Sequence, residues 1–202
     1  LVLEGTYRQR VQFITSQLEK DIPVLDIGCG EFTYYKKMMA LGFAAPYYAV
    51  DTNPQFERLA QTISRRYEDD NLIFFHSLEA FNPDVQVNIL LTEVIEHNPL
   101  EEAKVLIQKS LALNFNKLII TTPNVTFNQF YSMEKELRHD DHHFELAEQS
   151  FEDLIKGCIS GMEDTEKFKV QFFRLGDSLN DIQPTLGCII MKQNMHVKKF
   201  KV

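Results

Sequence analysis

Cysteine is scarce in this chain, and its pattern suggests no pairing. Cys29, Cys158 and Cys188 are odd in number, far apart and set in mostly apolar surroundings. Such a set does not build a disulfide framework and fits a reducing compartment. No C-x-x-C occurs, which excludes a structural zinc ribbon. Positive charge is also short: 21 Lys and Arg stand against 29 Asp and Glu, for a net charge of −8. A broad basic face for duplex nucleic acid is thereby excluded, whereas local capture of a single RNA end is not. Apolar runs long enough to cross a bilayer are missing, and the polar N-terminus does not read as a signal peptide. Internal repeats and low-complexity linkers are missing too. The first residue is Leu1 and not Met, as expected of an excised or trimmed domain. A monomer of the cytoplasm or nucleus, with no membrane contact, is the expectation.

What is present is ample for one core. With 202 residues and 44% hydrophobic content, the chain can bury one domain well and is short for two. Short apolar runs read as strands at 24–27, 47–50, 72–75, 87–92 and 117–121. Helical spacing of apolar residues covers about 5–19, 31–41, 100–113 and 150–160, and Pro54 opens a further helix at its first turn. Two late strands, 168–175 and 186–192, lack a helix between them and predict an antiparallel hairpin at the sheet edge. The alternation implies an α/β fold: a mostly parallel, seven-stranded, Rossmann-like sheet with helices on both faces. The whole of 1–202 reads as one domain with a core of about 6–192. A polar insertion at about 125–147 interrupts it, and Lys198–Lys201 form a solvated tail.

In such a sheet ligands bind beyond the carboxyl ends of the strands. Gly28 to Gly30, Asp51, Ser77, Thr92 to His97 and Thr121 to Asn124 all fall there. Asp26-Ile27-Gly28-Cys29-Gly30 turns sharply from strand to helix, because glycine carries no Cβ. A dinucleotide site needs a third glycine, but position 33 is Thr, and Glu31 would repel a pyrophosphate. Asp51, ending the next strand, suits the two hydroxyls of a ribose. A cofactor with a ribose and no phosphate fits best, namely S-adenosylmethionine. The pattern resembles motif I of the class I methyltransferases. That resemblance implies Asp26 near the amino-acid end of the cofactor, Gly28 and Gly30 along it, and Asp51 on its ribose. It also implies Ser77 and Leu78 beside the adenine, with Thr92 completing the set.

Glu93, Glu96 and His97 follow an apolar strand, at a spacing that one turn or tight bend would aim the same way. Two carboxylates and an imidazole suit one divalent ion, Mg²⁺ or Mn²⁺, with the nitrogen tilting the choice toward Mn²⁺, Fe²⁺ or Co²⁺. A fourth ligand is expected from the downstream run Arg138-His139-Asp140-Asp141-His142-His143-Phe144-Glu145. Taken singly, the acids also suit an ordinary first helical turn and the histidines a polar loop. Their joint position at the sheet edge, beside a cofactor loop, favours the metal.

Thr92-Glu93-Val94-Ile95-Glu96-His97, Thr121-Thr122-Pro123-Asn124 and the His-rich run occur in an order that resembles the small-RNA 3′-terminal 2′-O-methyltransferases of the HUA-enhancer type. Tyr7-Arg8-Gln9-Arg10 is similar to their eukaryotic members, and the resemblance spans about residues 6–192. It implies Glu93, Glu96, His97 and His142 as metal ligands and as the catalytic centre. His139 or His143 is a secondary candidate for general base. The tryptophan, threonine and arginine that follow the motif in the family are Leu146, Ala147 and Glu148 here.

The implied reaction moves a methyl group from S-adenosylmethionine to the 2′-OH of a terminal RNA nucleotide, protecting that end. A metal that gathers the vicinal 2′- and 3′-hydroxyls would select RNA ends without reading bases. A single-stranded small-RNA end is the expected substrate, presented by an Argonaute- or Piwi-type partner. Tyr7, Arg8, Arg10, Phe127, Phe130, Tyr131 and Arg138 are candidates to hold the strand. The alternative activity is metal-dependent O-methylation of a small vicinal diol or catechol. A non-catalytic, cofactor-binding scaffold that recruits RNA-processing partners is the other reading.

Overall fold

A computed structural model describes residues 2–82, 84–131, 133, 135–163 and 168–192. The tail expected at Lys198–Lys201 lies outside them. The elements run α1 (Val2–Ser16), β1 (Val24–Ile27), α2 (Thr33–Ala40), β2 (Tyr47–Val50), α3 (Pro54–Tyr67), β3 (Leu72–Phe75) and β4 (Val87–Thr92). They continue with α4 (Leu100–Ala112), β5 (Phe115–Pro123), α5 (Glu148–Ser160), β6 (Phe168–Leu175) and β7 (Thr185–Lys192). One seven-stranded sheet holds them in the order β3-β2-β1-β4-β5-β7-β6. The first five strands in sequence pair in parallel, whereas β7 pairs antiparallel with both β5 and β6. The mostly parallel sheet and its antiparallel edge are as expected from the sequence.

The burial pattern explains the layers. β1 is buried at every position, as a strand covered on both faces must be. One face packs Leu25, Ile89, Leu91 and Ile120 against Ile107 of α4 and Phe151 and Ile155 of α5. The opposite face packs Val24, Ala49, Leu90 and Ile119 against Ile14 of α1, Tyr35 of α2 and Ile63 of α3. Alternate residues of one strand thus feed different cores, which fixes the register of the sheet.

The strand order reverses at β1: β2 and β3 lie to one side, β4 and β5 to the other. The crevice between the ends of β1 and β4 is therefore the switch point where ligands bind in open α/β sheets. Two boundaries differ from expectation in ways that shape this crevice. α2 begins at Thr33 and not near residue 31, because Phe32 sits at φ 61 and the glycine loop takes up the extra residues. β5 runs on through Pro123, because β7 lies alongside it: Pro123 pairs with Thr185, and Asn124 N donates to Pro184 O at 2.9 Å.

The described residues of the polar segment 125–147 make specific bonds to the end of β5. The segment opens with a 3₁₀ turn, Val125–Phe130, capped by the Asn124 side chain. Arg138 donates through Nε to Asn128 Oδ1 and through Nη2 to Asn124 O, each at 2.6 Å. The segment is thereby clamped beside the end of β5.

Candidate active site

The loop after β1 is shaped by backbone demands that only particular residues meet. Gly28 and Gly30 have φ of 75° and 49°. A Cβ on Gly28 would lie 2.5 Å from Val94 Cγ2, so glycine is needed there for both conformation and space. Gly28 N and Cys29 N both donate to Val50 O, at 2.8 and 3.1 Å, joining the loop to the end of β2. Asp51 completes the join: Oδ2 accepts from Gly30 N at 3.2 Å and Oδ1 from Asn53 N at 2.9 Å. Each carboxylate oxygen keeps a lone pair for a ligand hydroxyl.

These loops border a cleft of about 950 Å³, lined among others by Gly28, Asp51, Ser77, Leu78, Glu93 and His97. Ile27, Val50, Phe56, Val105 and Leu106 give it apolar walls. Four of the seven residues expected at the cofactor therefore line one cavity. Asp26, Gly30 and Thr92 do not line it. Asp26 is 1% exposed and accepts a hydrogen bond from the Tyr47 hydroxyl through Oδ2. Burial pushes its carboxyl up to about 7, against the opposing pull of that bond. Thr92 bonds the buried Tyr34 of α2, whose phenol burial pushes up to about 12.

The second half of the site begins where β4 ends. Glu93 sits at φ 54, and Ile95–His97 form a 3₁₀ turn. Glu96 is completely buried; Thr122 Oγ1 donates to its Oε2 at 3.0 Å, and its Oε1 has no partner. Desolvation first, and the charge of Glu93 second, raise its pKa well above the ordinary carboxylate range. His143 N donates to Glu96 O at 2.8 Å, which docks the 125–147 segment onto this turn. That bond carries His142 into place. Ligand atoms of Glu96, His97 and His142 then lie within 4.8 Å of one another.

The partners of these side chains decide what they can bind. His142 Nδ1 meets Glu145 Oε1 at 2.7 Å, and His97 Nδ1 meets Asp141 Oδ2 at 3.0 Å. A carboxylate on Nδ1 leaves Nε2 as the free donor, the arrangement usual for a metal-binding imidazole. Burial also lowers the pKa of His142, against the pull of Glu145, which favours the neutral ligand form. Glu145 is itself fixed, by Arg138 N at 2.7 Å and Asn128 Nδ2 at 2.6 Å. A buried Glu96 carboxylate with one oxygen unpartnered, grouped with two such imidazoles, fits a divalent cation well. Replacing Glu145 by Gln is expected to weaken Mn²⁺ binding by about 10- to 100-fold, measured by titration calorimetry, because His142 loses its fixed tautomer.

Glu93 stands apart from that triplet. Its Oε2 lies 3.1 Å from Arg10 Nη1, and its Oε1 is buried without a partner. His139 lies next to His142, with ring centroids 4.9 Å apart, but it is exposed, as is His143. Among the strand-binding candidates, Phe127 belongs to the core, and Arg138 is spent on internal bonds. Tyr7 alone of the aromatic candidates is well exposed, at 44%. The sequence reading did not assign the supporting roles of Thr122, Asp141, Glu145 and Arg10. Only Glu145, three residues after His142, had a spacing that signals its role.

No protein-family model matches the chain. A small RNA 2′-O-methyltransferase of Caenorhabditis elegans is 36% identical over 70 residues, which is 34% of this chain and 16% of that protein. A chain from the Pnkp1/Rnl/Hen1 RNA repair complex superimposes with a TM-score of 0.81 and 39% identity, over 93% of this chain and 42% of its own. The methyltransferase domain of a bacterial Hen1 (CtHen1-C) matches with a TM-score of 0.76 and 21% identity, over 93% of this chain and 98% of its own. The chain thus spans less than half of the first two relatives and nearly the full length of the isolated domain, to which it is similar in fold.

Proposed function

We propose that this chain, a homologue of the Hen1-type small-RNA methyltransferases built on the class I methyltransferase fold, methylates the 2′-OH at the 3′ end of RNA. One observation carries the reading: Glu96, His97 and His142 converge, with a buried carboxylate oxygen left bare, beside a cleft lined by Gly28 and Asp51. S-adenosylmethionine, when bound, supplies an electrophilic methyl group. Glu96, His97 and His142, with Glu93 beside them, would hold a divalent ion, which would supply Lewis acidity toward a ribose hydroxyl.

The chain's own residues do the rest. Asp51 takes the cofactor ribose, Gly28 lets the backbone approach it, and Ser77 and Leu78 flank the adenine. Asp141 and Glu145 fix the imidazoles, so the terminal ribose meets a preorganised set of groups. The apolar walls of the cleft exclude water from the transferring methyl. Exposed His139, whose ring centroid lies 4.9 Å from that of His142, and exposed His143 are the candidates to carry the proton away.

The chain 1–202 acts as one methyltransferase domain, in the cytoplasm or nucleus; among the described residues no helix is long and apolar enough to cross a membrane. The relative found in an RNA repair complex supports presentation of the RNA by a protein partner, for which an Argonaute- or Piwi-type protein remains the proposed candidate. Transfer of a radiolabelled methyl group to a short single-stranded RNA, with the metal varied, tests the reading. The expected result is transfer that requires Mn²⁺ or Mg²⁺ and stops on chelation. Transfer to a catechol with none to RNA would replace this reading by the small-diol activity.

A further inference from the structure

A buried cation already stands against the carboxylates of the site. Arg10 Nη1 lies 3.1 Å from Glu93 Oε2, with the two side chains only 16% and 22% exposed. The Tyr34 hydroxyl bonds the same guanidinium. α1 does not offer Arg10 on a loose arm. Tyr7 Oη and Thr33 Oγ1 are 2.7 Å apart, and Gln9 Nε2 donates to Asp177 Oδ1 at 2.7 Å, so the helix is pinned on two sides. Arg10 Nε, Glu93 Oε1 and Glu96 Oε1 are all buried without partners. The charges are therefore close, desolvated and incompletely satisfied.

Two adjacent buried carboxylates are costly unless a cation accompanies them. We propose that Arg10 is a resident counter-cation for Glu93 and Glu96, one that keeps the fold intact without a divalent ion and keeps the binding of that ion weak and reversible. The inference rests on the metal reading given above. A divalent ion among Glu96, His97 and His142 has Glu93 beside it, and Glu93 is already shared with a guanidinium. Like charges one carboxylate apart repel, and in a desolvated site water does not screen them well. Removing the guanidinium relieves that repulsion in the metal-bound protein. In the metal-free protein it leaves Glu93 uncompensated. Both effects raise the apparent affinity for the metal.

The test is R10M, which keeps an apolar stem and removes the charge, in the full chain with Mn²⁺ as probe. Without metal its Tm is expected to fall by several degrees. Its Mn²⁺ dissociation constant is expected to drop by about tenfold or more, with a larger Mn²⁺-induced rise in Tm than the parent protein shows. R10K, which keeps the charge, should bind Mn²⁺ within about twofold of the parent, and in an E93Q background R10M should change the affinity by less than about twofold. Mn²⁺ binding that weakens or stays unchanged in R10M overturns the proposal, leaving Arg10 as an orienting or purely structural group. So does failure of R10M to fold even with Mn²⁺, since the ion should replace the lost charge. A parent protein that binds no Mn²⁺ defeats the metal reading itself, a different outcome from an R10M that binds as the parent does.

Discussion

Glu96→Ala and His142→Ala are each expected to cut methyl transfer to an RNA end by about 10³-fold or more, roughly 4 kcal/mol of transition-state stabilisation. S-adenosylhomocysteine affinity should stay within about twofold, because neither residue lines the Asp51 cleft. Stability separates a catalytic role from a structural one. Glu96 is a buried acid that, among the described residues, accepts one side-chain hydrogen bond, from Thr122, and burial disfavours its charge. Its removal takes away a desolvated charge, while Arg10 keeps its ion pair with Glu93. His142→Ala leaves Glu145 still held by Arg138 N and Asn128 Nδ2. Both variants should therefore fold, bind cofactor and fail in turnover. Turnover retained in both, with cofactor binding unchanged, would show that the metal assignment is wrong.

How much of this was legible in the sequence depended on whether an interaction was local. Strands such as Val24–Ile27 and Val87–Thr92 read directly, because continuous burial leaves a continuous apolar run. The glycine loop, Asp51 and the Glu96-His97 pair were legible because each lies where a strand meets its following turn. Their joining into one cleft followed from the position of strand ends in a parallel sheet. The end of β5 was not legible, since Pro123 reads as a stop and its continuation depends on β7, far along the chain. Arg10 was harder still. In sequence it is one cation in a polar helix, suited to RNA; in the fold its guanidinium is committed to Glu93. The helical pattern of α1 shows which face is apolar but not which distant carboxylate a polar side chain meets. Asp26 shows the converse: its motif position implies a place near the amino-acid end of the cofactor, but not the buried bond that its carboxylate accepts from Tyr47 of β2.

If the proposed activity holds, then among RNAs that differ only in their last ribose the chain is expected to prefer the intact 2′,3′-diol by large factors. A 2′-deoxy end lacks the accepting oxygen and should take no methyl group. A 3′-deoxy end keeps that oxygen and is the sharper probe. If Glu96, His97 and His142 act through a centre that gathers both hydroxyls, losing one removes a contact made in the transition state. A drop in kcat/KM of about 10²-fold is then expected. A 3′-phosphate should do worse, by about 10³-fold, and for a second reason. Glu93, Glu101, Glu102 and Asp141 all line the cleft, so a terminal dianion meets carboxylates where a neutral diol does not. The two causes separate with salt. Repulsion from the exposed acids should weaken as ionic strength rises, improving the phosphorylated end relative to the diol, whereas the 3′-deoxy penalty should not move. A site that reads only the 2′-OH would methylate the 3′-deoxy end as well as the diol, and that equality would exclude a diol-selecting centre. Selection by end chemistry in this form needs no basic face and no base-reading surface, which is consistent with a chain of net charge −8.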